Sequence, residues 1–491
     1  MKKKDIIEFE IGKMEFGGTT STIVDDRTVK MKGGITGQKV KGFVQKIRKG
    51  KAEVKLQEVL EKSPLETSKV CPHFGECGGC SMLSVPYQKQ LEIKESQIKE
   101  LFSKHDFGDY DFQGIQGSPN EYFYRNKMEY TFGNEKKDGP LTLGLHKKGR
   151  HIDILTADNC MIVDKDFEKI LKTTVEFFGK RQISHYRLNN HSGYLRNLVI
   201  RKGIKTGEIM INLVTTSNFE QNEGDVLETY ISEQNEADVL EAYISEIKKI
   251  NFEGNLVSLL HTINDGLADA VNCDELLILD GRDYIYEEIL GLKFKISPFS
   301  FFQTNTNGAE KLYSIVKKFI EEKNILNSEE RNTLKNEEKN SLNNKVIFDL
   351  YSGTGSIGQI VADKAKKVYG IEIVEEAVRV ANENAKMNGL NNCKFIAGDV
   401  KEEVKNLNEK ADLIIVDPPR PGIHKDAIKD ICGFEASEIV YVSCNPKTMV
   451  EDLELFKEYG YMVKKVRCMD MFPSTAHVES VVLMSNVNLN K

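Results

Sequence analysis

The sequence predicts an α/β protein in three parts: a C-terminal doubly wound parallel sheet, a small N-terminal β-barrel, and a mixed α+β region between them. Three observations carry this. From Lys345 onward, short apolar runs alternate with glycine turns and helical stretches, as in the strand–loop–helix units of a parallel sheet. Residues 1–60 instead place β-type runs (IIEFEIGKM, STIVDD, KVKGFVQKI, KAEVKLQEV) between glycine turns, which reads as a five-stranded barrel. The 491 residues, 40% hydrophobic and 29% charged, suffice for about three domains with cores of their own.

In chain order, the barrel is expected over 1–62, with KSPLE (62–66) as a linker. A central domain over 63–290 opens on CPHFGECGGC and continues into a helical run from about Val85 to Lys104. Part of about 82–118 is expected to pack with the C-terminal domain, which spans 291–491. An acidic insertion over 219–247 contains a tandem repeat, EQNEGDVLETYIS then EQNEADVLEAYIS. Its period of thirteen would put the two apolar sets on nearly opposite faces of one helix, so one copy is expected to loop outward. The stretch 322–345 is polar and aperiodic and reads as a surface insertion. In the last domain KVIFDL, VYGIEI, CKFIAGD, ADLIIVD and EIVYVS are successive strands, and VVLMS is the final one.

No apolar run approaches the ~18 residues of a membrane span, and the lysines of MKKKDIIEFE lack the apolar stretch of a signal peptide. The cytoplasm is therefore the expected compartment. There, the nine cysteines read as metal-binding, catalytic or buried rather than disulfide-paired. The formal charge of −7 is unevenly spread: residues 220–246 hold nine acids and no Lys or Arg, whereas residues 1–62 hold thirteen Lys, two Arg and nine acids. A basic N-terminal module is a candidate footprint for a polyanion, and equally a solvated basic face.

The glycine turn DLYSGTGS (349–356) follows the first strand of the parallel sheet, where a ligand can approach the backbone. Glu372 ends the second strand, where an acid can bind a ribose diol, and Asp399 ends the third. This ordering resembles class I S-adenosylmethionine methyltransferases; a nicotinamide dehydrogenase is the competing reading, but its third glycine would fall one position early, at Gly358. DPPR (417–420) ends the fourth strand, its two prolines stiffening the loop. Amino-methyltransferases of adenine and cytosine usually carry an aromatic residue after such prolines; here it is Arg420.

YVSCNP (441–446) ends the fifth strand. An unpaired cysteine is most often a small buried hydrophobe. Cys444, however, precedes a helix with Asn445 as N-cap and Pro446 at its first position, where the dipole and free amides favour a thiolate. Beside a methyl donor, such a thiolate can add to carbon 6 of uracil and make carbon 5 nucleophilic, after which a base must remove the carbon-5 proton. Glu479, in AHVES with His477 nearby, is the candidate base. Cys71, Cys77 and Cys80 lack the paired Cys-x2-Cys knuckles of zinc sites; three clustered thiols and one distant suit a four-iron cluster better, with zinc left open.

FFQTN (301–305), DLYSGTGS, IVDPPR, VSCNP and HVES, in that order, resemble the RNA uracil-5-methyltransferase family over nearly the whole chain. The resemblance implies a Rossmann-like class I methyltransferase domain, an N-terminal TRAM domain of the oligonucleotide-binding type, and a central iron–sulfur domain. It implies S-adenosylmethionine bound by Gln303, Tyr351, Glu372 and Asp417, with Ser356 and Asp399 as further candidates. It makes Cys444 the nucleophile and Glu479 the base, and gives a [4Fe-4S] cluster Cys71, Cys77, Cys80 and Cys160. The implied partner is RNA, 23S rRNA first and transfer RNA second. Tyr351-Ser352 stands where many relatives have Phe-Cys, which leaves the turn's backbone role intact. A non-catalytic RNA-binding assembly factor on a methyltransferase fold is the alternative, against which Cys444, Glu479 and Asp417 all stand.

Overall fold

The computed structural model describes the chain except for residues 69, 151, 220–234, 323–344, 408 and 489–491. The first repeat copy and the polar stretch 323–344 therefore lie outside the described residues. The chain forms two compact units: Met1–Lys69 with Ser81–Pro119 and Asn307–Lys491, and Val70–Cys80 with Asn120–Thr306. The last domain thus starts at Asn307 rather than 291. The residues just before it, including the hairpin strand Leu292–Ile296, belong to the second unit.

In the first unit, β1 (Ile6–Glu10), β2 (Lys13–Glu15), β3 (Thr19–Val24), β4 (Arg27–Lys32), β5 (Lys39–Arg48) and β6 (Lys51–Glu61) form one sheet in the order β1-β5-β6-β4-β3-β2. The first expected run breaks at Ile11-Gly12, so six strands stand where five were read. The two outer strands are thus halves of one bent run, and the sheet curls back on itself around Phe9, Ile11, Val29, Val40, Val44 and Val54. KSPLE is not a loose linker. The Glu66 carboxylate accepts from the Ser63 amide and from Gln38 Nε2, both at 2.8 Å, and from the Ser84 hydroxyl at 3.0 Å.

Helix α1 (Tyr87–Ser103) and strand β7 (Asp111–Gln116) follow, both within the first unit. The second unit carries β8 (Lys127–Asn134), β9 (Leu141–His146), β10 (Ile154–Thr156), α2 (Lys165–Lys180), β11 (Leu195–Lys202), β12 (Glu208–Thr215), α3 (Glu236–Lys248), β13 (Asn255–Ile263) and β14 (Glu275–Gly281). Its seven strands run in the order β10-β9-β8-β11-β12-β13-β14, with a separate hairpin of β15 (Ile285–Ile289) and β16 (Leu292–Ile296). The second repeat copy supplies α3, which buries Val239, Leu240, Tyr243 and Ile247.

Helix α4 (Thr306–Glu322) leads back into the first unit. There β17 (Val346–Leu350), α5 (Ser356–Val361), β18 (Lys367–Glu372), α6 (Glu375–Met387), β19 (Cys393–Ala397), α7 (Val400–Lys405), β20 (Leu413–Val416), α8 (Lys425–Cys432), β21 (Glu438–Ser443), α9 (Pro446–Glu458), β22 (Tyr461–Met469) and β23 (Glu479–Asn486) follow. The eight strands run β19-β18-β17-β20-β21-β23-β22-β7. Strands β17 to β21 are parallel, and β23 is antiparallel to both β21 and β22. The order reverses between β17 and β20, the switch point at whose carboxyl ends such sheets bind ligands.

Candidate active site

Three backbone details shape the turn after β17. Tyr351, Gly353 and Gly355 all have positive φ, +62°, +53° and +71°. A Cβ on Gly355 would lie 2.4 Å from the Phe395 ring. The buried Asp349 carboxylate accepts from the Gly358 amide at 2.9 Å, so Gly358 fixes the turn against the strand it came from. Burial, then the nearby Asp417 and Glu372, push Asp349 up to about 7.

Glu372, the last residue of β18, accepts from the Gly353 and Val374 amides, both at 3.0 Å. It therefore braces the glycine turn and also faces a cavity of about 350 Å³ lined by Tyr351, Glu372, Ile373, Gly398, Asp399 and His424. Asp399 does two jobs: it lines this cavity and it caps α7 by accepting from the Lys401 amide at 2.9 Å. Ser356 is not among the cavity's walls; its hydroxyl pairs with that of Tyr313 at 3.3 Å. Ile373 and His424 were not singled out in the sequence. Ile373, 71% exposed directly after the ribose-type acid, is the more legible of the two.

The second half of the site is assembled by register. Strands β21 and β23 pair antiparallel, ending with Ser443 opposite Ser480. Cys444 follows Ser443 and Glu479 precedes Ser480, close enough for the carboxylate to act on the thiol. Cys444 is half-buried, beyond the last strand residue, whereas Cys432 and Cys468 are the packed core thiols. Asn445 is the N-cap of α9 and Pro446 opens it, as the sequence indicated, but the Asn445 side chain does not cap. Its Nδ2 donates to the Arg420 carbonyl at 3.0 Å, and Thr448 Oγ1 donates to the same oxygen at 3.2 Å. The DPPR loop is thereby fastened to the start of α9.

The expectation of a ready-made thiolate is corrected. Burial, then Glu479 and Asp417, push the Cys444 thiol up to about 11. The Arg420 guanidinium, which hydrogen-bonds the sulfur, pulls the other way. Burial and Asp417 likewise push Glu479 up to about 8, again opposed by Arg420, and burial alone raises Asp417 to about 7. Low polarity and neighbouring carboxylates outweigh the helix terminus. In the sequence Arg420 counted only as a missing aromatic ring; in the structure its charge favours the ionised forms of both Cys444 and Glu479.

Gln303 lies in the second unit, where the Asn126 amide donates to the Thr304 carbonyl at 2.9 Å and Asn126 Nδ2 to Thr306 Oγ1 at 2.7 Å. Cys71, Cys77, Cys80 and Cys160 are all half-buried in this unit. Cys80 is pushed up to about 12 by burial and then by Cys160, Cys77 and Cys71, and Cys160 up to about 11 by burial, with Cys71 and Cys77 adding to it. His73 Nε2 pairs with Asp158 Oδ1 at 2.8 Å, which ties the cysteine loop to the turn bearing Cys160. Among the described residues, no three His, Cys, Asp or Glu side chains converge as closely as a single metal ion requires. Neighbouring thiols add to the burial that disfavours ionisation of Cys77, Cys80 and Cys160.

A glycine turn, a ribose-type acid and a cavity at the switch point of a doubly wound sheet suit a nucleoside-bearing cofactor, and similarity to known proteins makes this one an S-adenosylmethionine-dependent methyltransferase. Residues 335–487 match the tRNA (uracil-5-)-methyltransferase family model. An uncharacterized RNA methyltransferase of Clostridium tetani is 51% identical over 98% of this chain and 98% of its own. Another, of Clostridium acetobutylicum, is 48% identical over 99% and 98%. The crystal structure of Pyrococcus abyssi tRNA (uracil-54, C5)-methyltransferase in complex with S-adenosyl-L-homocysteine covers 97% of this chain and 100% of that one, with a TM-score of 0.69 at 23% identity, a likeness of fold. The chain belongs to the RNA uracil-5-methyltransferase family.

Proposed function

We propose that the protein transfers the methyl group of S-adenosylmethionine to carbon 5 of a uridine in RNA through a covalent Cys444–carbon 6 adduct, and that the RNA is 23S rRNA. The observation that supports this is that Glu479, Asp417 and Arg420 all act on Cys444 just beyond the paired ends of β21 and β23, and that Asp417 and Arg420 act on Glu479 as well.

Glu372 and Asp399 hold the nucleoside of the donor in the cavity, with Tyr351 on its wall and Asp417 at the neighbouring strand end. The family resemblance also implies Ser356, at the start of α5. The ionised sulfur of Cys444 adds to carbon 6, and the C5=C6 π pair moves onto carbon 5 and its carbonyl. Carbon 5 takes the sulfonium methyl, and the S–CH3 pair stays on sulfur as S-adenosylhomocysteine. Glu479 removes the carbon-5 proton, the C–H pair restores C5=C6, and the C6–S pair leaves with Cys444. Arg420 favours the anionic forms of both residues.

Cys71, Cys77, Cys80 and Cys160 would hold a [4Fe-4S] cluster, which has no step in this chemistry and would stiffen its surroundings. The N-terminal sheet serves as a TRAM-type RNA grip. The cysteine cluster and this module favour ribosomal RNA; a transfer RNA substrate is the second reading, favoured by the family model's own description.

The test is incubation with S-adenosylmethionine and 5-fluorouridine transcripts of 23S rRNA and of transfer RNA. A denaturant-stable protein–RNA complex on the ribosomal transcript, absent in Cys444→Ala, is expected. A complex on transfer RNA alone moves the assignment to that substrate. Tight RNA binding with no complex on either leaves a non-catalytic binder.

A further inference from the structure

The loop 470–478, which carries the chain from β22 to Glu479, is held from outside the strands it joins. Asp470 and Lys94 of α1 form an ion pair at 2.7 Å with both side chains fully buried. Lys94 Nζ also reaches the Phe472 carbonyl at 3.4 Å. Ser474 is buried at φ +67°, a conformation that favours glycine. Three hydrogen bonds hold it there: its amide donates to Gln90 Oε1 at 2.7 Å, and its carbonyl accepts from the Ser81 and Met82 amides at 2.9 Å. Gln90 Nε2 in turn donates to the Met82 and Val85 carbonyls at 3.1 and 2.8 Å. The buried side of α1 is thus polar where an amphipathic helix is usually apolar: Gln90 and Lys94 face this loop, and Gln97 donates to the Met14 carbonyl of β2 at 3.0 Å. Three buried polar side chains on one helix are costly unless each is satisfied, and these are spent on irregular backbone rather than on the helix's own packing.

We infer that Gln90 and Lys94 are positioning residues for Glu479: the polar side of α1 fixes the 470–478 loop so that the carboxylate meets the carbon-5 proton. This rests on the uridine-methylation reading above. In that reaction the base acts only after sulfur has added and the methyl has moved, so its displacement slows release of the adduct and spares its formation.

The experiment uses the full-length protein with radiolabelled S-adenosylmethionine and unmodified RNA substrate, comparing wild type, Glu479→Gln, Gln90→Met, and the double variant Lys94→Met with Asp470→Leu. The double variant replaces the buried pair with apolar groups of similar size, which buried ion pairs tolerate. The expected result is that Gln90→Met and the double variant label a denaturant-stable RNA adduct in the first turnover at the wild-type rate, then turn over at least tenfold more slowly with the adduct accumulating. Glu479→Gln should accumulate it too. If both loop variants lose adduct formation and turnover in parallel, or keep wild-type turnover, the positioning role is overturned while Glu479→Gln still reports the base. If Glu479→Gln accumulates nothing and 5-fluorouridine RNA traps nothing on wild type, the uridine-methylation reading itself falls.

Discussion

Cys444 sits where two influences oppose each other. Desolvation and the carboxylates of Glu479 and Asp417 disfavour its thiolate, and the Arg420 guanidinium favours it. Glu479 has the same neighbours in the same sense. In the proposed mechanism each group works only when deprotonated, and their values of about 11 and about 8 both lie above neutrality. Raising the pH from 7 towards 9 therefore increases both reactive forms. The expected outcome is a kcat/KM that climbs through this range. Arg420→Gln removes a cation that acts on both, so the profile moves to higher pH. Its rate at neutral pH falls by roughly tenfold for each pKa unit of displacement. A pH profile of single-turnover methylation checks this, and an unshifted profile in Arg420→Gln would remove the arginine from the chemistry.

At the scale of elements, Gly355 opens α5 at φ +71°, and a Cβ there would meet the Phe395 ring at 2.4 Å. Gly389, just after α6, has φ +69° but no atom within 4 Å of the same added carbon. Gly389→Ala should cost only the backbone strain, about 1–2 kcal/mol. Gly355→Ala adds overpacking of about 1–3 kcal/mol, and it also tilts the turn on which Glu372 leans. Denaturant titration should rank the two in that order, and calorimetry with S-adenosylmethionine should show weakened binding for Gly355→Ala alone. What was legible in the sequence follows from the same local physics. β17, β18, β20 and β21 are continuous apolar runs closed by an acid, a glycine turn or a helix cap, so their ends, and with them Glu372, Asp417 and Cys444, could be read off. β22 could not: a register shift between Val463 and Lys465 breaks its alternation, and Lys464, Lys465 and Arg467 mask the buried Val463, Val466 and Cys468. β7 is a short polar edge strand whose partner lies some 350 residues away in sequence, and only that pairing makes it a strand. Arg420 was visible but misjudged, because its value depends on a sulfur that only the fold brings to it.

At the scale of the molecule, the first unit is made from three separate stretches of chain, and the loop Val70–Cys80 that interrupts them belongs to the second. This loop carries three of the second unit's four half-buried thiols, and its described ties include the His73–Asp158 pair, the Cys77–Lys147 bridge and a 2.7 Å hydrogen bond from the Lys148 amide to the Glu76 carbonyl. Burial and neighbouring thiols push Cys77, Cys80 and Cys160 up, and in the proposed iron–sulfur reading a cluster would bind their ionised forms. Protein isolated without oxygen should accordingly contain iron and acid-labile sulfide, and Cys80→Ser should lose both. The substituted protein should be cut by protease between residues 70 and 80 while its first unit, with Cys444 and Glu479, stays intact. Its RNA methylation should then fall through KM rather than kcat, since no electron transfer enters the reaction. Zinc in place of iron, or a Cys80→Ser protein with unchanged metal content and protease resistance, would mean that these thiols are gathered for some other reason.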